Sequence, residues 1–283
     1  MATSIPITLP SGTWRNGVRH RDALLRPLTG EDELFLVEDA EGVSPARRTT
    51  LLLTRCLERL GTEQPVSDAA TRALTAGDRE ALLLHLRRVT FGETLTSVLT
   101  CPRAGCDERM DLELRVSELL VDAVPEPAAV HEATIDGRTV RFRLPNGEDL
   151  EEVGQTLLSV DAAVREQALS RMTRLVLERC VEGEVDDAIE AQLPRIMAEL
   201  DPQAELLLNL VCTRCGRPFT ALFDAASFLF RELAAHRDVL YRDVHQLALH
   251  YHWSESDILA MPAERRRRYL ELLAEALTPR GKR

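Results

Sequence analysis

Apolar and polar side chains alternate at the start of the chain and recur at helical spacing over most of the rest. Positions 5–9 read Ile-Pro-Ile-Thr-Leu before the turn-forming PSG, and a second strand-like stretch follows in HRDALLRPL. Because alternation puts every second side chain on one face of a strand, this region predicts a short strand pair. We assign it to an N-terminal strand segment, residues 1–30.

Helix signals dominate the chain after this segment. Ser44 precedes Pro45, and Gly61 follows the run ARRTTLLLTRCLERL. A side-chain cap, a proline in the first turn and a glycine beyond the end predict a helix that extends to Gly61. The stretch DREALLLHLRRVTFG predicts a second helix, since its leucines recur on one face.

Further elements follow from local patterns. Asp136-Gly137 between alternating residues predicts a hairpin, and two helices follow, the second beginning at Asp161. A long helical stretch covers positions 224–253. Ser254 with Asp257 three residues later predicts a capped turn, and PAERRRRYLELLAEAL predicts a last helix.

Two similar stretches, TCPRAGCDERMDLEL and VCTRCGRPFTALF, each place two cysteines between strand-like residues. The four cysteines are Cys101, Cys106, Cys212 and Cys215. Zinc prefers a closed tetrahedron of four thiolate or imidazole ligands in structural sites, and two hairpin turns supply that geometry. The pattern therefore favours one structural Zn²⁺ site built from all four. Disulfides, free buried thiols or a redox CxxC are the alternatives, and Cys56 and Cys180 are expected to be buried spectators.

Composition and charge narrow the classes of function. The chain has 283 residues, 45% hydrophobic content and 4% aromatic content, which predicts a largely helical protein with a hydrophobic core. A formal net charge of -11 makes nucleic acid an unlikely partner of the molecule as a whole. The sequence offers neither a membrane span nor a signal peptide, so we expect a cytoplasmic protein with reduced thiols and no membrane partner.

Catalytic motifs are missing from the sequence. It contains no HExxH, GxGxxG, GxxxxGK[ST] or GxSxG, and four cysteine ligands leave a zinc ion no open position. The histidines of VHQLALHYHW lack the spacing of helical ligands, although a second metal site there stays an alternative. We therefore expect no enzymatic activity, no catalytic residue and no small-molecule substrate.

The C-terminal stretch HYHWSESDILAMPAERRRRYLELL contains the densest positive charge in the chain. It admits a DNA-binding helix-turn-helix, a solvated helix face, or a partner-docking surface of apolar anchors with arginines at the rim. Ile258 and Leu259 are further candidate anchors. The predicted partner-binding residues are Tyr251, Trp253, Arg265, Arg266, Arg267, Arg268 and Tyr269.

Several motifs together resemble the baseplate hub assembly chaperone family of T-even-type phages. They are DREALLLHLRRVTFG, the CPxxxC knuckle, FRLPNGEDLE, LVCTRCGRPFTALFDAASFLFREL and the C-terminal stretch. Similar proteins accompany contractile tails and extracellular contractile injection systems. The resemblance covers the chain from about residue 78 onward and implies a non-enzymatic role in assembling a contractile baseplate, with hub or baseplate proteins as partners and the four cysteines as zinc ligands.

The sequence thus predicts an α+β protein, predominantly helical, with a small zinc-ribbon-like β element and a C-terminal helical extension. Residues 31–235 form a helical domain with the split four-cysteine ribbon, whose knuckles lie near 101–106 and 212–215, and residues 236–283 form a C-terminal helical segment. The predicted function is that of an assembly chaperone or minor baseplate component. A zinc-ribbon transcriptional regulator that binds DNA is the alternative.

Overall fold

The computed structural model describes residues 4–39, 42–121, 124, 128–158 and 171–278. Helices account for about 50% of it, and the strands form small antiparallel sheets. The strands are β1 (Ile5–Arg15), β2 (Val18–Leu25), β3 (Leu57–Leu60), β4 (Thr94–Thr100), β5 (Arg109–Arg115), β6 (His131–Ile135), β7 (Arg138–Phe142), β8 (Leu206–Val211) and β9 (Pro218–Phe223).

The helices fill most of the chain between these strands. They are α1 (Gly30–Leu34), α2 (Pro45–Cys56), α3 (Asp68–Arg72), α4 (Ala76–Phe91), α5 (Val116–Leu119), α6 (Gly147–Leu158), α7 (Met172–Cys180), α8 (Asp187–Leu200), α9 (Ala225–Tyr251), α10 (Glu255–Leu259) and α11 (Ala263–Leu277). A π-helical turn, Phe35–Asp39, follows α1. The predicted combination of helices, small β elements and a C-terminal helical stretch is confirmed in this form. None of the described helices is long and apolar enough to cross a bilayer.

The N-terminal strand pair is confirmed and belongs to a three-stranded sheet of order β1-β2-β3. The helix predicted to reach Gly61 is wrong at its end, because α2 stops at Cys56 and the chain continues as β3. Ser44 and Pro45 begin this helix as predicted. Pairing with β2 satisfies the backbone of β3 and buries its leucines, a gain that local helix signals do not reveal.

One hydrophobic core joins the N-terminal sheet to helices from distant parts of the chain. Leu9 and Leu25 of the sheet lie in the same buried cluster as Leu53 of α2, Leu83 of α4 and Leu229 of α9. The predicted domain boundary after residue 30 therefore divides residues that belong to one hydrophobic core. The predicted boundary after residue 235 lies within the continuous helix α9.

A second hydrophobic cluster packs the β6–β7 hairpin against α7 and α8. The Asp136-Gly137 turn is confirmed, and both residues adopt positive φ, 48° and 77°, as a tight hairpin turn requires. Helix α6 lies in the first of the two predicted helical stretches. The predicted start of the second, Asp161, lies outside the described residues, and α7 forms its described part.

The C-terminal helices pack back onto the N-terminal part of the fold. Ser254 caps α10 by accepting a hydrogen bond from the Asp257 backbone N–H, as predicted. A backbone bridge between Thr29 and Pro262 places the start of α11 beside α1. The C-terminal segment is thus attached to the main core through the residues that flank α1.

Candidate metal centre

Two hairpins, β4–β5 and β8–β9, present the four cysteines. Cys101 and Cys106 lie in the connection between β4 and β5, and Cys212 and Cys215 lie in the connection between β8 and β9. The two sheets face each other across a small cavity of about 100 Å³ that Leu99, Leu112 and Leu208 help to line. Alternating apolar residues build these inner faces, so hydrophobic packing brings the two knuckles together.

Positive φ angles let the knuckles turn tightly. Gly105 and Asp107 have φ of 76° and 49° in the first knuckle, and Gly216 has φ of 68° in the second. Glycine adopts this region without steric cost, and aspartate tolerates it better than most residues. The first knuckle uses two such residues, which accommodates the wider spacing between its cysteines.

Backbone hydrogen bonds close both knuckles in the same way. The Cys101 N–H donates to the Glu108 carbonyl at 2.8 Å, and the Cys212 N–H donates to the Arg217 carbonyl at 3.0 Å. Each bond joins the residue after one strand to the residue before the next. The cysteines are therefore held by the hairpin backbone itself.

The four sulfur atoms form one compact cluster. Cys101 Sγ lies 4.0 Å from Cys215 Sγ, Cys106 Sγ lies 3.8 Å from Cys212 Sγ, and all four lie within 4.8 Å of one another. A tetrahedral zinc ion with Zn–S bonds of about 2.3 Å requires sulfur pairs about 3.8 Å apart. The observed separations fit such an ion. The predicted clustering of the four cysteines is confirmed.

Local donors act on the sulfur atoms. The Arg217 backbone N–H donates to the Cys215 sulfur and lowers the pKa of this thiol. At Cys101 the Arg103 backbone N–H also lowers the pKa, but burial and the neighbouring thiols outweigh it and the net pKa is raised. Amide donors of this kind stabilise thiolate, the form that binds metal.

Arg214 links the two knuckles, a contact that sequence reasoning missed. Its Nη1 donates to the Cys106 carbonyl at 2.9 Å, so the second knuckle holds the backbone of the first. With a metal bound, this positive side chain would also offset part of the charge of the thiolate ligands. Arginine next to a cysteine pair was visible in the sequence, but its partner lies 108 residues away.

The remaining cysteines and the histidines do not extend the cluster. Cys56 and Cys180 are buried in different hydrophobic clusters, as predicted, and burial raises the pKa of both thiols. Within the described part of the chain, the one group of His, Cys, Asp and Glu side chains with metal-binding geometry is the four-cysteine cluster. The alternative site near His245, His250 and His252 therefore receives no support.

The predicted C-terminal anchors pack mainly against one another. The rings of Tyr251 and Trp253 stack with centroids 4.7 Å apart, and Trp253 meets Tyr269 edge-on at 4.8 Å. All three are half-buried around Leu247. Ile258 is fully buried, so it is a core residue and not the exposed anchor that we expected.

The four consecutive arginines have different environments. Arg265, Arg267 and Arg268 are exposed, and the Arg265 guanidinium lies over the Tyr269 ring. Arg266 is only 2% exposed and donates to Glu33 at 2.7 Å, so its predicted position at an exposed rim is wrong. Burial of this ion pair ties α11 to α1, and it also removes one positive charge from the surface that a DNA-binding helix would need.

Comparison with known proteins identifies the family. The family model described as T4 bacteriophage base plate protein matches residues 5–230. The match includes both cysteine hairpins and begins earlier than the motif resemblance, whereas α10 and α11 lie beyond its end. No curated protein and no solved structure gives a significant match. The resemblance inferred from the motifs is confirmed, and the chain belongs to the T4 bacteriophage base plate protein family.

Proposed function

We propose that this protein is an assembly chaperone or minor component of the baseplate of a contractile phage tail or phage-tail-like injection system. The observation that carries the proposal is the family match over residues 5–230. Its partners would be other baseplate or hub proteins, met in the cytoplasm where such particles assemble. Four cysteine ligands would complete the coordination of a metal and leave no position for a substrate, which supports a non-enzymatic role.

We further propose that Cys101, Cys106, Cys212 and Cys215 hold one structural Zn²⁺ ion. The sulfur separations, amide donors and buried surroundings of the cluster support this assignment. Bound zinc would cross-link two knuckles that lie more than 100 residues apart in sequence. The chain between them, which includes the β6–β7 hairpin and α6 to α8, would then be enclosed as one unit.

The exposed C-terminal arginines are a proposed partner contact. Arg265 lies over the ring of Tyr269, beside the half-buried Tyr251 and Trp253, and Arg267 and Arg268 are exposed on the same helix. An acidic partner surface would be attracted to these three charges. Reversing the charge of Arg267 and Arg268 together should weaken co-purification with that partner at low salt. The matched control, Arg195→Glu, reverses an exposed arginine on α8 and should leave co-purification unchanged.

Affinity purification from cells that assemble the particle tests the proposed function. The tagged protein should enrich at least one baseplate or hub subunit over sheath and tube proteins, and the same sample should contain one zinc ion per chain. Presence in finished particles would identify a minor component, and presence only in assembly intermediates would identify a chaperone. Failure to enrich any baseplate subunit, combined with normal assembly in a deletion strain, would contradict the proposal.

A further inference from the structure

The outer face of the β8–β9 hairpin exposes three large apolar side chains. Leu207, Val211 and Leu222 have 54%, 62% and 64% of their surface accessible. Leu207 lies directly opposite Leu222, and Val211 lies opposite Pro218. The polar pair of Asn209 and Thr220 lies between these two apolar pairs, and Thr220 Oγ1 donates to Asn209 Oδ1 at 3.2 Å. Apolar side chains that are exposed singly are common on protein surfaces, so this face is informative only where it joins a larger apolar surface.

The outer face of the companion hairpin is mostly polar. Three of its cross-strand pairs are Thr94 with Arg115, Thr96 with Glu113 and Thr100 with Arg109, and the fourth joins Asp111 to Val98, which is 47% exposed. Both hairpins carry a cysteine knuckle and both pack through their inner faces. Exposed leucine is therefore not a requirement of this architecture, and the apolar face of β8–β9 needs a separate explanation.

This apolar face continues into an open groove of about 490 Å³ between α7 and α8. Leu222 belongs to both surfaces. Side chains from three elements form the wall, namely Met172, Val176, Leu177, Met197, Ala198 and Leu222. We call the groove together with Leu207 and Leu222 the hairpin groove. The groove has room for a row of several side chains from a partner. The helix that carries them would lie across the opening of the groove.

The charge of the hairpin groove has one sign. Glu205, which is exposed, and Asp201, which is buried, are the ionisable residues on its wall, and no Lys, Arg or His is found among the described residues that line it. Asp201 Oδ2 accepts a hydrogen bond from the Gly77 N–H at 2.9 Å, while Glu205 faces solvent. A basic group on the occupant would complement this end of the groove.

We propose that the hairpin groove binds an amphipathic helix of a partner protein, with its apolar ridge in the groove and a lysine or arginine beside Glu205. Residues at i, i+4 and i+7 of a helix project along one line, which suits an open apolar groove, whereas an added strand would turn alternate side chains away. A second copy of this chain is disfavoured, because an isologous contact would bring carboxylates to carboxylates without a base. This binding proposal rests on the proposed baseplate role only because that role identifies the partner as a baseplate protein.

Fluorescence anisotropy with a defined probe tests the proposal on the full-length zinc-loaded protein. The probe is a fluorescein-labelled 18-residue amphipathic helix of leucine and lysine, and its partner probe replaces every lysine with glutamate. We expect saturable binding of the lysine probe and at least tenfold weaker binding of the glutamate probe. Glu205→Arg should narrow this preference.

Two matched leucine variants locate the binding surface. Leu222→Ser should weaken binding of the lysine probe at least tenfold, and Leu249→Ser, which changes a leucine of α9 that is 58% exposed, should leave it unchanged. Unchanged circular dichroism and zinc content in both variants would exclude unfolding. Equal binding of the two probes, or wild-type binding by Leu222→Ser, would overturn the proposal.

Two further readouts separate this proposal from its alternatives. Self-association by light scattering that Leu222→Ser abolishes would assign the groove to a second copy and overturn the helix proposal. In cells, Leu222→Ser should lose a baseplate subunit that Leu249→Ser retains. If Leu222→Ser retained every baseplate subunit, the proposed binding role of the hairpin groove would be wrong, while the proposed baseplate role would stand.

Discussion

The β4–β5 and β8–β9 hairpins share one plan but differ in the face that they turn outward. Each has two short antiparallel strands, a knuckle with two cysteines and an apolar inner face. The outer face of β4–β5 carries threonines, charges and one exposed valine, Val98. The outer face of β8–β9 carries Leu207, Val211 and Leu222 around one polar pair, Asn209 with Thr220. The shared features are those that closing the cysteine cluster requires. The difference indicates a role that closure does not explain.

The two hairpins also attach differently to the rest of the fold. Leu95 of β4 is buried in the main core, at 1% exposed, and the chain enters this strand directly from α4. The β8–β9 hairpin follows α8 and leads into α9, and its Leu206, Leu208 and Phe223 pack on the core only in part. The first hairpin therefore contributes a fully buried side chain to the main core, whereas the second contributes partly buried ones.

Removing ligands from one knuckle should have the largest effect. The double variant Cys212→Ser and Cys215→Ser should lose zinc and with it roughly 10 kcal/mol or more of metal-binding free energy. The β8–β9 hairpin should lose order before β4–β5 does. Metal analysis and hydrogen exchange of both hairpins measure this. The control variant Cys180→Ala changes a buried cysteine outside the cluster and should bind zinc as the wild type does. A double serine variant that is fully folded without metal would contradict this prediction.

A change of pH should alter the stability of the N-terminal sheet through one buried carboxyl group. Asp78 of α4 accepts hydrogen bonds from Ser11 N–H at 2.8 Å and Gly12 N–H at 2.7 Å. Burial, followed by the nearby Asp201 carboxylate, raises the pKa of Asp78 to about 7 despite these bonds. Between about pH 4 and 7 the folded protein thus keeps a proton that the unfolded chain has lost.

The sign of this effect follows directly from the bound proton. Since the folded state binds more protons in this range, the free energy of unfolding falls as pH rises, by up to about 4 kcal/mol from this group. Urea unfolding of the wild type and of Asp78→Asn at pH 5 and 7.5 measures this change in the free energy of unfolding. Any loss of zinc at low pH affects both proteins alike and cancels in the comparison. The wild type should lose more stability than Asp78→Asn as pH rises. Asp187→Asn, at an exposed residue, should retain the wild-type slope.

Leucines on the inner and outer faces should respond differently to truncation. Leu95→Ala removes a buried inner-face side chain and should lower the free energy of unfolding by about 3 kcal/mol. Leu222→Ala, on the exposed outer face, should change it by no more than about 0.5 kcal/mol. Chemical denaturation of both variants compares them. Similar losses in the two would contradict the division into inner and outer faces.

The contact between the knuckles should give the smallest effect. Arg214→Ala removes the hydrogen bond to the Cys106 carbonyl and should cost about 1 kcal/mol of stability and speed zinc release to a chelator. Arg217→Ala removes an equal charge from the same knuckle but keeps the backbone N–H that faces Cys215. It should release zinc at nearly the wild-type rate. Equal rates in both variants would show that charge, and not the cross-knuckle bond, sets the rate.

Local signals in the sequence predicted much of the fold and the whole cysteine cluster. Ser44, Ser254 and Asp136-Gly137 act on neighbouring residues, so their caps and turn were readable without a structure. The cysteines were readable as well, because two thiol pairs at knuckle spacing, each between strand-like residues, are typical of a structural metal site.

The errors involve partners that are distant in sequence. β3 forms because β2 offers a free edge, and Arg266 is buried because Glu33 lies 233 residues away to pair with it. The run LLLNLV is apolar at five of its six positions, so the sequence did not show which face of β8 the other hairpin would cover. Tertiary packing decides such choices, and a single sequence does not display it.

X-ray absorption at the zinc K-edge, on protein purified without added metal, tests the central claim most directly. The account predicts one zinc ion per chain with four sulfur ligands at about 2.3 Å and no nitrogen or oxygen ligand. It also predicts that the double variant Cys212→Ser and Cys215→Ser gives no such signal. A shell with fewer than four sulfur ligands, or folded wild-type protein that contains no metal, would contradict the closed four-cysteine site.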